Sequence, residues 1–137
     1  MKFKIIFAST LALILFAGLF IKYSNGSKTM AETNSNHKVL VAYFSRTGEQ
    51  YGVGNITEGN TAIVAKMIAD KTGGDLFEIK VVNDNYPGMY NALTEYAKKE
   101  KQQNARPEII GKVENFDEYD TVFVGYPNWW VDMPMPV

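Results

Sequence analysis

Lys38–Thr61 reads KVLVAYFSRTGEQYGVGNITEGNT, and the fold follows from how this stretch changes character along its length. Val39 to Phe44 form an unbroken apolar run, as long as a strand buried on both faces. The run stops at Ser45-Arg46-Thr47-Gly48, a hydroxyl-rich turn, and a long loop containing Gly52, Gly54 and Gly59 follows. Asn60-Thr61 then open TAIVAKMIADKTGG, which reads as a helix ended by Gly73-Gly74, with Ala62, Ile63, Ala65, Met67, Ile68 and Ala69 on its apolar face. Strand, polar loop and helix in this order aim backbone N–H groups and the positive end of a helix dipole at an anion. The hydroxyls of Ser45, Thr47 and Thr61 are further donors, so the stretch predicts a phosphate cradle.

Beyond the cradle, Asp75 to Val82 reads as a second strand whose mixed alternation suits a place near the sheet edge. Two parallel strands joined by a helix make a right-handed unit. Asn83 to Gly88 is a loop of turn-forming residues. Met89 to Gln103 reads as a second helix with Tyr90, Leu93, Tyr96 and Ala97 as its apolar stripe and Lys98-Lys99-Glu100-Lys101 on its solvated face. After a break at Asn104–Pro107, the apolar Thr121–Gly125 is a third strand that runs into Tyr126-Pro127-Asn128-Trp129-Trp130. The order β-α-β-α-β predicts a three-layer α/β fold around a parallel sheet.

The chain has 137 residues, enough for one domain, and a formal charge of −1. Residues 1–37 carry four lysines against one glutamate, a net of +3, which leaves −4 for the remainder. A mildly acidic domain lacks the basic face that nucleic acid requires. Without cysteine, disulfides and thiolate chemistry are excluded, and the lone His37 makes no metal site with scattered carboxylates. Ile5 to Ile21 is uncharged and apolar behind two lysines, so residues 1–23 are expected to form an apolar helix, either a cleaved export signal or a membrane anchor. Residues 24–37 read as a flexible linker and 38–137 as the domain, secreted or membrane-anchored on the extracytoplasmic side.

In open parallel sheets ligands bind beyond the carboxyl ends of the strands, where the strand order reverses. If the first and third strands are neighbours, the Ser45–Thr61 cradle lies beside Pro127-Asn128-Trp129-Trp130. That pairing suits a ligand with a phosphate tail and a flat aromatic head. Gly54–Thr61 nearly fits the triphosphate loop G-x-x-x-x-G-K-[ST], but Asn60 stands where the lysine belongs, so the match is read as coincidence. Other readings of the same residues stay open: turn and helix-cap chemistry for Ser45, Thr47 and Thr61, core or interface packing for the tryptophans, and simple solvation for Arg46.

From Lys38 onward the chain resembles the flavodoxin-like family, in the branch with a long phosphate loop. That family's first loop has the form S/T-x-T-G-x-T, often ending in N-T. Ser45, Thr47 and Gly48 match its start and Asn60-Thr61 its end, with Glu49–Gly59 inserted between. YPNWW and the following MPM are similar to the family's loop after the third strand, which packs against the isoalloxazine of FMN. The resemblance implies FMN as cofactor, its phosphate held by Ser45, Thr47, Gly48, Asn60 and Thr61 with Arg46 beside them, and its ring against Pro127, Asn128, Trp129 and Trp130. It also implies a five-stranded sheet in the order 2-1-3-4-5. Only three of those strands are legible before Val137, so the expectation is a partial domain whose third strand is an exposed apolar edge, with a partner to supply the missing strands. With no acid, base or nucleophile constellation, the expected function is an exported or tethered electron carrier serving redox proteins or a small-molecule acceptor. The alternatives are an FMN-dependent NAD(P)H:quinone-type reductase and a cofactor-free remnant or interaction module.

Overall fold

The computed structural model of the chain describes residues 4–9 and 37–137, the former as backbone alone. In chain order the elements are β1 (Lys4–Ser9), β2 (Val39–Tyr43), β3 (Gly48–Gln50), β4 (Gly54–Ile56), α1 (Asn60–Thr72), β5 (Asp75–Glu78), α2 (Tyr90–Gln102) and β6 (Thr121–Tyr126), with a 3-10 turn at Phe116–Glu118. Among the described residues four strands form a parallel sheet in the order β1-β6-β2-β5, and β3 pairs with β4 as a small antiparallel hairpin.

The central strand β2 sets the two layers. Val41 and Tyr43 face α1 and pack on Ala62, Ala65 and Ala69, whose small side chains let the helix lie close to the sheet. Phe44, just past the strand, faces the other way, into a cluster of Ile79, Val81, Tyr86, Ala97 and Trp129 beneath α2. The helix α1 ends where its first glycine was expected to end it: Gly73 has φ 67 and its N–H donates to the Ala69 carbonyl at 2.8 Å. The outer apolar residues of α1 are not part of the core, since Ile63 and Met67 stay exposed on the far side of the helix.

Several expectations need correction. The structure does not support an apolar helix within residues 1–23: Lys4–Ser9 form β1, and the rest of that stretch, like linker residues 24–36, lies outside the described residues. Among the described residues no helix is long and apolar enough to cross a membrane. Nor is the third strand an exposed edge, because β1 pairs with β6 in parallel from Lys4↔Thr121 to Ser9↔Tyr126. A strand edge offers a row of unpaired N–H and C=O groups, and a run with the β-propensity of Ile-Ile-Phe can satisfy them. The second strand is shorter than expected: β5 stops at Glu78, and Val81 instead bridges Ile109 in antiparallel sense. It does lie at the sheet edge, as its alternation indicated.

Candidate functional site

The loops after β2 and β6 leave the sheet side by side, because Tyr43 is in register with Gly125 and the Phe44 N–H donates to the Gly125 carbonyl at 2.9 Å. A Cβ on Gly125 would stand 3.3 Å from both Thr61 Cγ2 and Tyr43 Cβ, so the start of α1 reaches the same edge. Sequence reasoning placed the two loops together, and the structure brings them together.

The first loop is built from close backbone approaches. Gly59 is the N-cap of α1 but has no side chain to cap with, and Ser45 Oγ takes over by accepting from the Ala62 N–H at 3.1 Å. A Cβ on Gly59 would lie 2.1 Å from Ser45 Oγ and 2.5 Å from the Arg46 carbonyl, so only glycine fits the cradle there. Gly48, at φ +91, is 3.0 Å (at its would-be Cβ) from the Gly88 carbonyl. The insert between these glycines is not a plain loop. It folds as the β3–β4 hairpin, tied to the start of α2 by Glu49, whose N–H donates to Gly88 O at 3.0 Å and whose Oε2 accepts from the Tyr90 N–H at 2.8 Å. Thr47 and Asn60 are exposed at the rim, Thr61 is buried, and α1 has no acidic residue in its first turn.

Arg46 leaves this group of hydroxyls. Its Nη1 donates to both Asp84 carboxylate oxygens at 2.8 and 3.1 Å, and its guanidinium lies 4.9 Å over the Tyr86 ring. It thereby joins the loop after β2 to the loop after β5 and lines a cavity of about 210 Å³ with Gln50, Tyr90, Leu93 and residues 127–131. On the other flank of Ser45 and Thr47, a second hollow of about 380 Å³ is walled by Glu58 and Glu78. Lys66 pairs with the first of these carboxylates and Lys80 with the second, so both lysines are already engaged within the protein.

The second loop sends its two tryptophans opposite ways. Trp129 is 3% exposed, set edge-on against Phe44 at 5.7 Å and Tyr86 at 5.3 Å. Its Nε1 donates to Glu100 Oε2 at 2.9 Å, and the Tyr86 hydroxyl donates to Glu100 Oε1 at 3.1 Å. Burial, and then the Glu100 carboxylate, push the Tyr86 phenol well above its ordinary range. Glu100 itself is 7% exposed, which corrects its placement on the solvated face of α2. The missed signal was its spacing: Leu93, Ala97 and Glu100 continue one stripe at helical intervals. Trp130, by contrast, is 42% exposed at the cavity wall, with Lys98 Nζ 5.3 Å over its ring. Pro127 is half-buried and Asn128 exposed beside it.

Trp130 and Val131 both adopt left-handed backbone, at φ 50 and 61. For L-residues this costs about 1–2 kcal/mol each, more for a β-branched side chain, and it persists only where the surroundings over-determine it. The Trp129 N–H closes the turn on the Asp132 carbonyl at 2.8 Å, and Lys101 Nζ holds the Asp132 carboxylate at 3.0 Å. Lys101, with the Met133 N–H, keeps the Asp132 carboxyl below its ordinary value of 3.8.

A parallel α/β sheet, helices on both faces, and a hydroxyl loop beside an aromatic loop at the carboxyl ends of adjacent strands define a protein of the open, doubly wound class. Comparison with known proteins narrows this. The flavodoxin family model matches residues 38–137, and the chain belongs to that family. Among solved structures it is similar to a candidate flavoprotein of Bacteroides eggerthii DSM 20697, with TM-score 0.57 and 35% identity over 74% of this chain and 58% of that one. It is also similar to one of Bacteroides uniformis ATCC 8492, with TM-score 0.56 and 30% identity over 73% of this chain and 59% of that one. The chain thus spans less than two thirds of either protein. The comparison with curated proteins found no match.

Proposed function

We propose that the domain holds a flavin, FMN, without covalent attachment and serves as an electron-transfer protein. The observation that carries this reading is the Gly59 cradle: loop and helix start approach so closely that a Cβ has no room, beside a strand end shared with the aromatic loop. Such a donor set, made of hydroxyls and backbone N–H groups with no acid in the first helical turn, fits a phosphate monoester. Ser45, Thr47, Gly48, Asn60 and Thr61 would hold the phosphate. Pro127, Asn128 and Trp130 would face the ring, while Trp129 supports them from inside. Arg46, bound to Asp84, would act between the two halves. The flavin supplies the capacity to take up and release one or two electrons; the chain's residues bind it, orient its ring and exclude water from one of its faces. Family membership and the similarity to two candidate flavoproteins support the same reading.

The test is flavin titration of the full chain. Thr47→Ala should weaken FMN by about tenfold or more, as for loss of a hydrogen bond to a charged group, and leave riboflavin nearly unchanged. Equal weakening of both would remove Thr47 from the phosphate. Steady oxidation of NAD(P)H by the purified protein would place it among reductases instead of carriers. Export or tethering through the apolar residues 5–21 belongs to the same proposal, with a condition: Lys4–Ser9 cannot lie in a membrane while paired with β6. Protease protection of intact cells compared with spheroplasts would decide on which side the domain resides.

A further inference from the structure

Glu100 is an odd residue to find inside this protein. The residue is 7% exposed, and among the described residues no cation pairs with its carboxylate, which is an expensive way to fill a core position. It accepts from two neutral donors, the Trp129 indole and the Tyr86 phenol. The indole N–H can only donate, so in the core it needs such an acceptor. The next residue on α2, Lys101, grips Asp132. Two consecutive helix residues therefore hold the first and last residues of the turn 129–132, whose middle pair carries left-handed backbone. Val131 is 84% exposed, so burial of its own side chain does not hold that conformation in place. The ends hold it, and the end that reaches the core is Trp129.

We propose that Glu100 is the positioning residue of this turn: through the Trp129 indole its carboxylate fixes the backbone that presents Trp130 at the cavity wall. What Trp130 presents itself to rests on the flavin reading above; the holding of the turn does not. The role differs from that of the phosphate-side residues, because a loss here should loosen the ring and not the phosphate.

The test compares Glu100→Leu, Trp129→Phe and their combination with the unsubstituted full chain, and Glu100→Gln as the conservative variant. Without flavin, amide hydrogen exchange should rise about tenfold or more at residues 129–133 in Glu100→Leu and in Trp129→Phe, while β2 keeps its protection. The double variant should add nothing, since both changes cut one link. Glu100→Gln, which still offers an oxygen to the indole, should stay within about twofold of the unsubstituted chain. With flavin, Glu100→Leu should weaken FMN and riboflavin alike, by about tenfold. If Glu100→Leu fails to fold, Trp129→Phe, which keeps the aromatic bulk, carries the comparison. Unchanged exchange at the turn, a uniform rise over the whole domain, or weakening confined to FMN would overturn the proposal. If the unsubstituted chain binds no flavin, the cofactor reading fails, and the exchange pattern alone decides for or against Glu100.

Discussion

Two loops leave neighbouring strands of this sheet at the same edge, and they are held by opposite means. The loop after β2 is fastened by small contacts: a serine hydroxyl on a helix N–H, one backbone bond to Gly88, and a glycine with no space for a Cβ. Its polar side chains Thr47 and Asn60 stay at the surface. The loop after β6 is fastened by one large side chain driven into the core, with a buried carboxylate to receive it and a lysine to close the far end. The difference has a chemical logic. An anion is bound by many short contacts, which need backbone within reach and little side chain in the way. A flat ring is bound by area in a fixed orientation, which needs a rigid platform anchored from behind.

The sharpest break of this comparison is between adjacent residues. Trp129→Ala removes a buried ring and leaves Glu100 short of a donor, so it should destabilise the fold by about 3–5 kcal/mol. Trp130→Ala, at the surface, should stay within about 0.5 kcal/mol. Urea unfolding of both variants checks this, and similar losses would mean the two indoles are not divided between inside and outside. In the loop after β2 the corresponding change is the addition of one carbon. Gly59→Ala sets a methyl 2.1 Å from Ser45 Oγ and 2.5 Å from the Arg46 carbonyl. An overpacked contact of this kind costs about 1–3 kcal/mol. Adding Ser45→Ala should recover only part of that loss, since the Arg46 carbonyl remains in the way. Full recovery would show that the backbone approach is not what demands glycine.

How much of this was legible in the sequence follows from the same contrast. The run Val39–Phe44 announced a strand buried on both faces, and Gly73 announced the end of α1, because each signal is local. The adjacency of the two loops was legible too, since parallel strands joined by helices put their carboxyl ends at one edge. The opposite orientations of Trp129 and Trp130 were not, because they depend on positive φ at two residues that carry no glycine or asparagine to signal it. Glu100 was hidden inside a lysine run that reads as a solvated face unless the helical spacing to Ala97 is weighed above charge. The β3–β4 hairpin has strands of three residues each, too short to show alternation. Lys4–Ser9 departs from the expected helix for a different reason: an apolar run such as Ile5-Ile6-Phe7 suits helix and sheet alike, and its partner, the β6 edge, lies far away in sequence.

The smallest expected effect concerns the far end of the turn. The Asp132 carboxyl is held below its ordinary value of 3.8, first by the Lys101 hydrogen bond and then by the Met133 N–H. A carboxyl depressed in the folded state adds stability that is fully present above its unfolded value and is lost as pH falls through the folded one. Near neutral pH the Lys101–Asp132 clasp is therefore intact, and acid should open it only below about pH 4. Because both groups are solvated, the loss is small and confined to the turn. Hydrogen exchange at residues 129–133, followed from pH 6 down to pH 3 and corrected for intrinsic rates, should show protection falling at the acid end in the unsubstituted chain. Asp132→Asn should start from lower protection and lack this component of the fall. If the two curves run parallel, the clasp contributes nothing measurable, and the turn is held from the Trp129 end alone.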